Sequence, residues 1–134
     1  MAKLETVEGI GPKYAQLLRK AGVKSTGDLL KKGATPAGRR KIAADAGITG
    51  KLILEWVNHA DLFRITGVGE EYADLLEEAG VDTVVELAKR NPEALYNAMD
   101  QTNVKKKLVR QMPGLKQIKK WVAQAKKLPR VVTY

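Results

Sequence analysis

Residues 7–15 read VEGIGPKYA, and residues 65–73 read ITGVGEEYA. Each stretch places two glycines, separated by one apolar residue, directly before a predicted helix. The two copies lie 58 positions apart, and 11 of the 25 positions from 7 to 31 are identical to their counterparts. Such repetition indicates two related structural units. We predict repeats at residues 1–64 and 65–134, each too small to be stable alone, so that the two share one core.

Signals for helix starts and ends recur in both repeats. Pro12 suits a first helical position, and Gly22 and its counterpart Gly80 suit left-handed C-terminal caps. Further starts are marked by Ser25, Thr35-Pro36, Thr49, Thr83 and Asn91-Pro92, and further ends by Gly33 and Asn91. A last helix is predicted between Pro113 and Pro129. Because period-two alternation appears only in residues 130–134, which we expect to lie extended or to fray, the predicted fold class is all-α.

Composition narrows the function further. The chain of 134 residues has no cysteine, one histidine and 5% aromatic residues, which argues against disulfides, thiolate metal sites and a platform for base stacking. We predict a protein that is not an enzyme and that needs no cofactor or metal, with His59 on a helix surface or as a cap and Trp56 and Trp121 in the core. The absence of a long apolar run argues against a membrane span and a secretory leader, so we expect a cytoplasmic location.

The positive charge is unevenly distributed. The formal net charge of +9 comprises +6 in residues 1–64, −7 in residues 65–100 and +10 in residues 101–134. An excess of this sign favours an anionic partner, and nucleic acid is the most frequent one.

The two glycines before each helix suggest a site for phosphate. Closely spaced glycines permit a tight turn, and the helix that follows offers unpaired N–H groups and the positive end of its dipole. Because Pro12 has no N–H, the expected donors are Gly11, Lys13 and Tyr14, and the ammonium of Lys13 neutralises the phosphate. The alternative, that the glycines form only a turn between helices, stays open at this point.

Residues 7–15 resemble the signature of the helix-hairpin-helix family. That signature consists, in order, of an apolar residue, any residue, Gly, an apolar residue, Gly, any three residues and Ala. Residues 65–73 resemble it too. The resemblance implies main-chain contacts to a DNA phosphate without sequence preference, and two pseudo-symmetric halves packed as one compact helical domain. The whole chain also resembles small uncharacterised bacterial proteins that carry two such motifs and end in a tryptophan-containing helix and a Leu-Pro-Arg-Val tail.

The two repeats differ in surface charge. Lys13, Arg19, Lys20 and Lys24 are replaced by Glu71, Glu77, Glu78 and Asp82 at the matched positions. Residues 65–86 contain seven acidic residues and no basic one, and such a field repels phosphate. We therefore assign phosphate binding to the first pair of glycines and withhold it from Gly67 and Gly69.

The predicted function is binding of duplex DNA with little sequence preference, with structured RNA as an open alternative. The predicted contacts are Gly9, Ile10, Gly11, Lys13, Tyr14, Arg19, Lys20, Lys24, Arg39, Arg40, Lys105, Lys106, Lys107, Lys116, Lys119 and Lys120. A second interpretation is a protein-interaction or self-association module that uses the acidic residues Glu70, Glu71, Asp74, Glu77 and Glu78.

Overall fold

A computed structural model describes residues 3–134, and this part of the chain contains helices and no strand, which confirms the all-α prediction. A short 3₁₀ helix, Leu4–Thr6, precedes the first α-helix. The α-helices are α1 (Pro12–Lys20), α2 (Thr26–Lys32), α3 (Pro36–Ala46), α4 (Gly50–Leu62), α5 (Glu70–Glu78), α6 (Val84–Ala88), α7 (Pro92–Lys106) and α8 (Leu115–Lys127). They belong to two compact units: the first runs to Asp61 and includes Val131–Tyr134, and the second is Leu62–Arg130.

The ends of α1 and α5 use the same device in both units. Pro12 is the first residue of α1, as predicted. Gly22 follows α1 with a φ of +88°, and Gly80 follows α5 with a φ of +101°. The ammonium of Lys32 donates to the carbonyl of Gly22, and the guanidinium of Arg90 donates to the carbonyl of Gly80 at 2.7 Å. A cation on a C-terminal carbonyl satisfies an acceptor that the helix itself leaves unpaired.

The predicted N-caps are confirmed at five helices, and at α4 the hydroxyl oxygen of Thr49 accepts the N–H of Leu52 at 3.4 Å. Side-chain oxygens of Ser25, Thr35, Thr83 and Asn91 accept the N–H three residues ahead, at 3.1, 3.1, 3.3 and 3.0 Å. The predicted end of α2 at Gly33 is also confirmed. The prediction that Asn91 ends α6 is wrong, because α6 stops at Ala88 and the Asn91 side chain caps α7 instead.

The core of each unit contains the predicted tryptophan. Trp56 on α4 and Trp121 on α8 are each 2% exposed. In the second unit, α6 and α7 pack against α8, and in the first unit α1 and α2 pack against α3. Complete burial of a large aromatic ring contributes a major part of the apolar area that such small cores remove from water.

The prediction that His59 lies on a helix surface is wrong, since this residue is 3% exposed. His59 follows Trp56 by three positions on α4, so both side chains lie on the buried face of the helix. The spacing from the tryptophan was the signal in the sequence that indicates burial.

The C-terminal tail lies extended and is bonded to the first unit. The N–H of Thr133 donates to the carbonyl of Ala34 at 2.8 Å. The hydroxyl of Tyr134 donates to the side-chain oxygen of Asn58 at 3.1 Å. Of the two alternatives for this segment, extended or frayed, the structure shows the extended one.

Candidate nucleic-acid interface

Two buried side chains anchor the first hairpin, residues 7–11, to the core of the unit. Val7 and Ile10 are 1% and 3% exposed, and the N–H of Ile10 donates to the carbonyl of Val7 at 3.0 Å. Gly9 has a φ of +93°, which permits the tight turn. Gly11 is extended and forms the N-cap of α1. The buried residues anchor the turn, and both glycines are left exposed at the surface.

The start of α1 presents three main-chain donors. Within residues 3–134 no acceptor is found for the N–H groups of Gly11, Lys13 or Tyr14, and Pro12 has no N–H. A Cβ placed on Gly11 would meet no atom within 4 Å, so the space beside this residue is open. The donors coincide with the positive end of the α1 dipole, an arrangement that suits an oxyanion.

Trp56 packs directly against the first hairpin. The sequence predicted only that this residue lies in the core. Its indole Nε1 lies 3.3 Å from the position that a Cβ on Gly9 would occupy. The rings of Tyr14 and Trp56 are 5.1 Å apart between centroids and are inclined by 59°. The matched positions of the two tryptophans in the repeats were the signal for this contact.

The second hairpin, residues 65–69, has the same local geometry. The φ of Gly67 is +92°, and Nε1 of Trp121 lies 3.2 Å from its Cβ position. The rings of Tyr72 and Trp121 are 5.4 Å apart and inclined by 55°. Exposed Glu70 and Glu71 stand where the first hairpin is followed by Pro12 and Lys13. The two hairpins therefore share a backbone and differ in charge.

The predicted cations of the first unit fall into three groups. Lys13, Lys20, Lys24 and Arg40 are exposed, and within residues 3–134 their side chains form no ion pair. Arg19 is exposed but is paired with the carboxylate of Glu5 at 2.8 Å. This guanidinium holds the pKa of Glu5 below its usual value. Arg39 forms the third group.

Arg39 is buried, so we leave it out of the candidate contacts to phosphate. The residue is 8% exposed. Its guanidinium donates to the carbonyls of Gly33 at 2.8 Å, Ala34 at 3.1 Å and Thr133 at 2.7 Å. Burial lowers the pKa of this guanidinium from its usual value. Arg39 thus fastens the tail, and its place on the same face of α3 as Ile42 was the signal in the sequence.

The predicted lysines of the second unit are all exposed on α7, at its end and on α8. Lys106 is paired with Glu78 at 2.5 Å, and Lys119 with Glu93 at 3.5 Å. No ion pair is found within residues 3–134 for Lys105, Lys107, Lys116 and Lys120. Exposed pairs of this kind contribute little to stability.

The acidic residues of α5 are less accessible than the sequence predicts. Glu70 and Glu71 are exposed, whereas Asp74 and Glu77 are half-buried. Glu78 is the residue paired with Lys106. The helix therefore presents a pair of exposed carboxylates beside the second hairpin and no continuous face of five.

None of the helices in residues 3–134 has the length and apolar character needed to cross a membrane.

Comparison with known proteins assigns the chain to a family. No curated protein and no solved structure matches it. A family profile described as Domain of unknown function (DUF4332) matches residues 8–128, a range that includes the glycines of both hairpins and both tryptophans. With most of its length matched, the chain belongs to the DUF4332 family.

Proposed function

We propose that this protein binds duplex DNA with little sequence preference and without catalysis, and that the first hairpin takes a backbone phosphate. The observation that carries the proposal is a set of three N–H groups at an exposed helix start, from Gly11, Lys13 and Tyr14, for which residues 3–134 provide no acceptor. Main-chain donors contact phosphate oxygens and do not read base edges, so they position a duplex without specifying its sequence.

Side-chain charge on the first unit supports a polyanion as the ligand. Lys13 and Lys20 are seven residues apart on α1 and so lie on the same face, about 10 Å apart along the helix axis. Lys24 follows the helix, and Arg40 is exposed on α3. A series of cations that begins at the hairpin suits a chain of phosphates better than a single small anion.

The second hairpin provides a contrast within the same chain. Its backbone offers a similar helix start, but Glu70 and Glu71 are exposed beside it. The negative charge of these two carboxylates beside the hairpin opposes binding of a negatively charged phosphate. The proposal therefore assigns contact with the duplex to one hairpin and leaves the other with a role in packing.

A charge-reversal experiment tests the proposal. Fluorescence anisotropy with a labelled duplex is measured for the unaltered protein, for Lys13→Glu and for the matched change Glu71→Lys. We expect Lys13→Glu to weaken binding about tenfold, and Glu71→Lys to leave it unchanged or to tighten it. With four unpaired cations in contact, log K should fall with log salt with a slope of about −3 to −4, and Lys13→Glu should reduce that slope by about one.

Three outcomes would contradict the proposal: no binding of duplex at low salt, binding that does not respond to salt, or a Lys13→Glu variant that binds as the unaltered protein does. Parallel titrations with single-stranded DNA and duplex RNA identify the class of nucleic acid. Tighter binding of duplex RNA would replace DNA as the partner.

The alternative of self-association through α5 receives less support, because two of its five acidic residues, Asp74 and Glu77, are half-buried. Light scattering at low and high salt tests it. A species that dimerises only at low salt, and whose dimer is lost in Glu70→Gln, would favour that function over DNA binding.

A further inference from the structure

We infer that the indole N–H of Trp56 is a fourth donor to the anion at the first hairpin, and that the ligand group is a non-bridging oxygen of a phosphodiester. The inference rests on the proposed function and names a side chain that the sequence interpretation placed only in the core.

The indole N–H reaches the hairpin because position 9 has no side chain. The Nε1 atom of Trp56 lies 3.3 Å from the point where a Cβ on Gly9 would stand. The φ of Gly9 is +93°, so this position is strained for any other residue. Gly9 therefore does two things: it permits the turn, and it leaves the edge of the indole uncovered.

This N–H has no acceptor in the part of the chain from residue 3 to residue 134, although the Trp56 side chain is 2% exposed. A buried indole N–H normally finds a hydrogen-bond partner. Its nitrogen is also not among the atoms that are sealed from solvent without a partner. A polar atom that is nearly buried, unpaired and still reachable is suited to an acceptor supplied from outside.

The indole contacts the hairpin that directly precedes the main-chain donors. It contacts Gly9 on one side, and its ring packs against the ring of Tyr14, 5.1 Å away between centroids. The free N–H groups of Gly11, Lys13 and Tyr14 belong to the segment that begins two residues after Gly9 and ends at Tyr14. The indole thus contacts residues at both ends of the segment that carries these donors, Gly9 before it and the ring of Tyr14 at its end.

The chemistry of the four donors defines the ligand. An indole N–H and a main-chain N–H donate and cannot accept, so the ligand atoms that face them must be acceptors. The ammonium of Lys13 adds a positive charge at the same helix start. Together these groups select a deprotonated oxyanion, and they provide no partner for a ligand hydroxyl.

Trp121 supplies a matched comparison. Its Nε1 lies 3.2 Å from the Cβ position of Gly67, and its ring packs on Tyr72 as Trp56 packs on Tyr14. Exposed Glu70 and Glu71 lie beside that hairpin. The same indole geometry is therefore present where phosphate is repelled.

The test replaces each indole in turn. Trp56→Phe removes the N–H and keeps an aromatic ring, and Trp121→Phe does the same in the second unit. In duplex anisotropy titrations we expect Trp56→Phe to weaken binding about tenfold, the loss of one hydrogen bond to a charged group. Trp121→Phe should alter binding by less than about twofold, since phosphate is repelled from that hairpin.

Tryptophan fluorescence provides a second measurement, one that does not depend on the stability of the Trp56→Phe variant. The Trp121→Phe protein retains Trp56 as its single tryptophan, and duplex should shift or quench its emission. The Trp56→Phe protein retains Trp121, and its emission should not change with duplex.

The outcomes separate this inference from the proposed function. Equal weakening by both Phe variants, or a Trp56 emission that duplex leaves unchanged, overturns the indole contact. If Lys13→Glu still weakens binding in that case, the proposed function stands without it. Absence of duplex binding by the unaltered protein overturns both.

Discussion

Arg19 donates to the carboxylate of Glu5 at 2.8 Å, so one cation of the predicted interface is held by an acid of the same unit. The guanidinium of Arg19 lowers the pKa of Glu5, whose carboxyl is ionised at neutral pH with or without this partner. We predict that Glu5→Gln releases Arg19 for phosphate and tightens duplex binding about two- to threefold, a small change because an exposed ion pair is weak. Asp45→Asn, which frees Lys41 from a similar exposed pair at 3.1 Å, is the control and should leave affinity unchanged. Equal tightening by both variants would show a general effect of net charge.

A side chain at position 11 should obstruct the donors without disturbing the fold. A Cβ on Gly11 or on Gly69 meets no atom within 4 Å, and both residues are extended N-caps. Gly11→Val and Gly69→Val should therefore lower stability by similar small amounts, about 1 kcal/mol or less. Only Gly11→Val should weaken duplex binding, by about tenfold, because it covers the N–H groups that bind phosphate. Thermal unfolding and anisotropy measure the two effects, and weakening by both variants would count against the choice of hairpin.

Replacement of Arg39 should affect mainly stability, and replacement of the adjacent Arg40 should affect mainly duplex binding. Arg39 donates to three carbonyls, one of them in the tail, so Arg39→Ala should lower the free energy of unfolding by about 2–4 kcal/mol. Exposed Arg40 should change stability by less than about 0.5 kcal/mol when replaced by Ala. Arg40→Ala should instead weaken duplex binding and reduce the salt slope by about one. Denaturant unfolding and salt-dependent anisotropy test both, and a stable Arg39→Ala variant with weak binding would return Arg39 to the interface.

Lys107 is the C-cap of α7 and has a φ of +52°, a left-handed conformation that favours glycine. We predict that Lys107→Gly stabilises the protein by about 0.5–1 kcal/mol, since glycine adopts this conformation without a steric penalty. Lys105→Gly, inside the same helix, should destabilise it by about 1 kcal/mol. The denaturation midpoints of the two variants should move in opposite directions.

Asp82 should make stability depend on pH in the acidic range. Asp82 is exposed, but partial desolvation raises the pKa of its carboxyl, the nearby charge of Glu86 raises this pKa further, and the charge of Arg90 lowers it. Between the ordinary pKa and the raised one, the folded state binds more protons than the unfolded state, so stability falls as pH rises through this window. Asp82→Asn should therefore raise the melting temperature at neutral pH slightly, by about 1 °C or less, because water screens the charge of an exposed side chain. This gain should vanish below about pH 4, where the native carboxyl is also neutral.

The helices of this protein could be predicted because their boundaries depend on neighbouring residues. A cap such as Ser25 binds an N–H three residues away, and Pro12 fixes its own φ. Asn91 shows the limit of such signals: the same residue suits an end or a start, and the proline after it favours the start. The glycine turns were predicted for the same local reason.

The burial of Arg39 and His59 was indicated only by their spacing from Ile42 and Trp56, and a bonding partner of Arg39 lies far away in the sequence. Arg39 bonds to Thr133, 94 residues away, and a run of basic residues gives no sign of that partner. His59 is buried because α4 turns its Trp56 face inward, which depends on tertiary packing. At the candidate site the main-chain donors followed from the motif, whereas the uncovered edge of Trp56 required the structure.

The extended tail also has a consequence for synthesis of the chain. At about 5–20 residues per second, the ribosome needs about 5–20 s to add the 94 residues from Arg39 to Thr133. During that time the guanidinium of Arg39 lacks the carbonyl of Thr133, and the second unit is made in full. The first unit begins to form first and is completed last, so a chain stalled before Val131 would leave Arg39 with fewer of its acceptors.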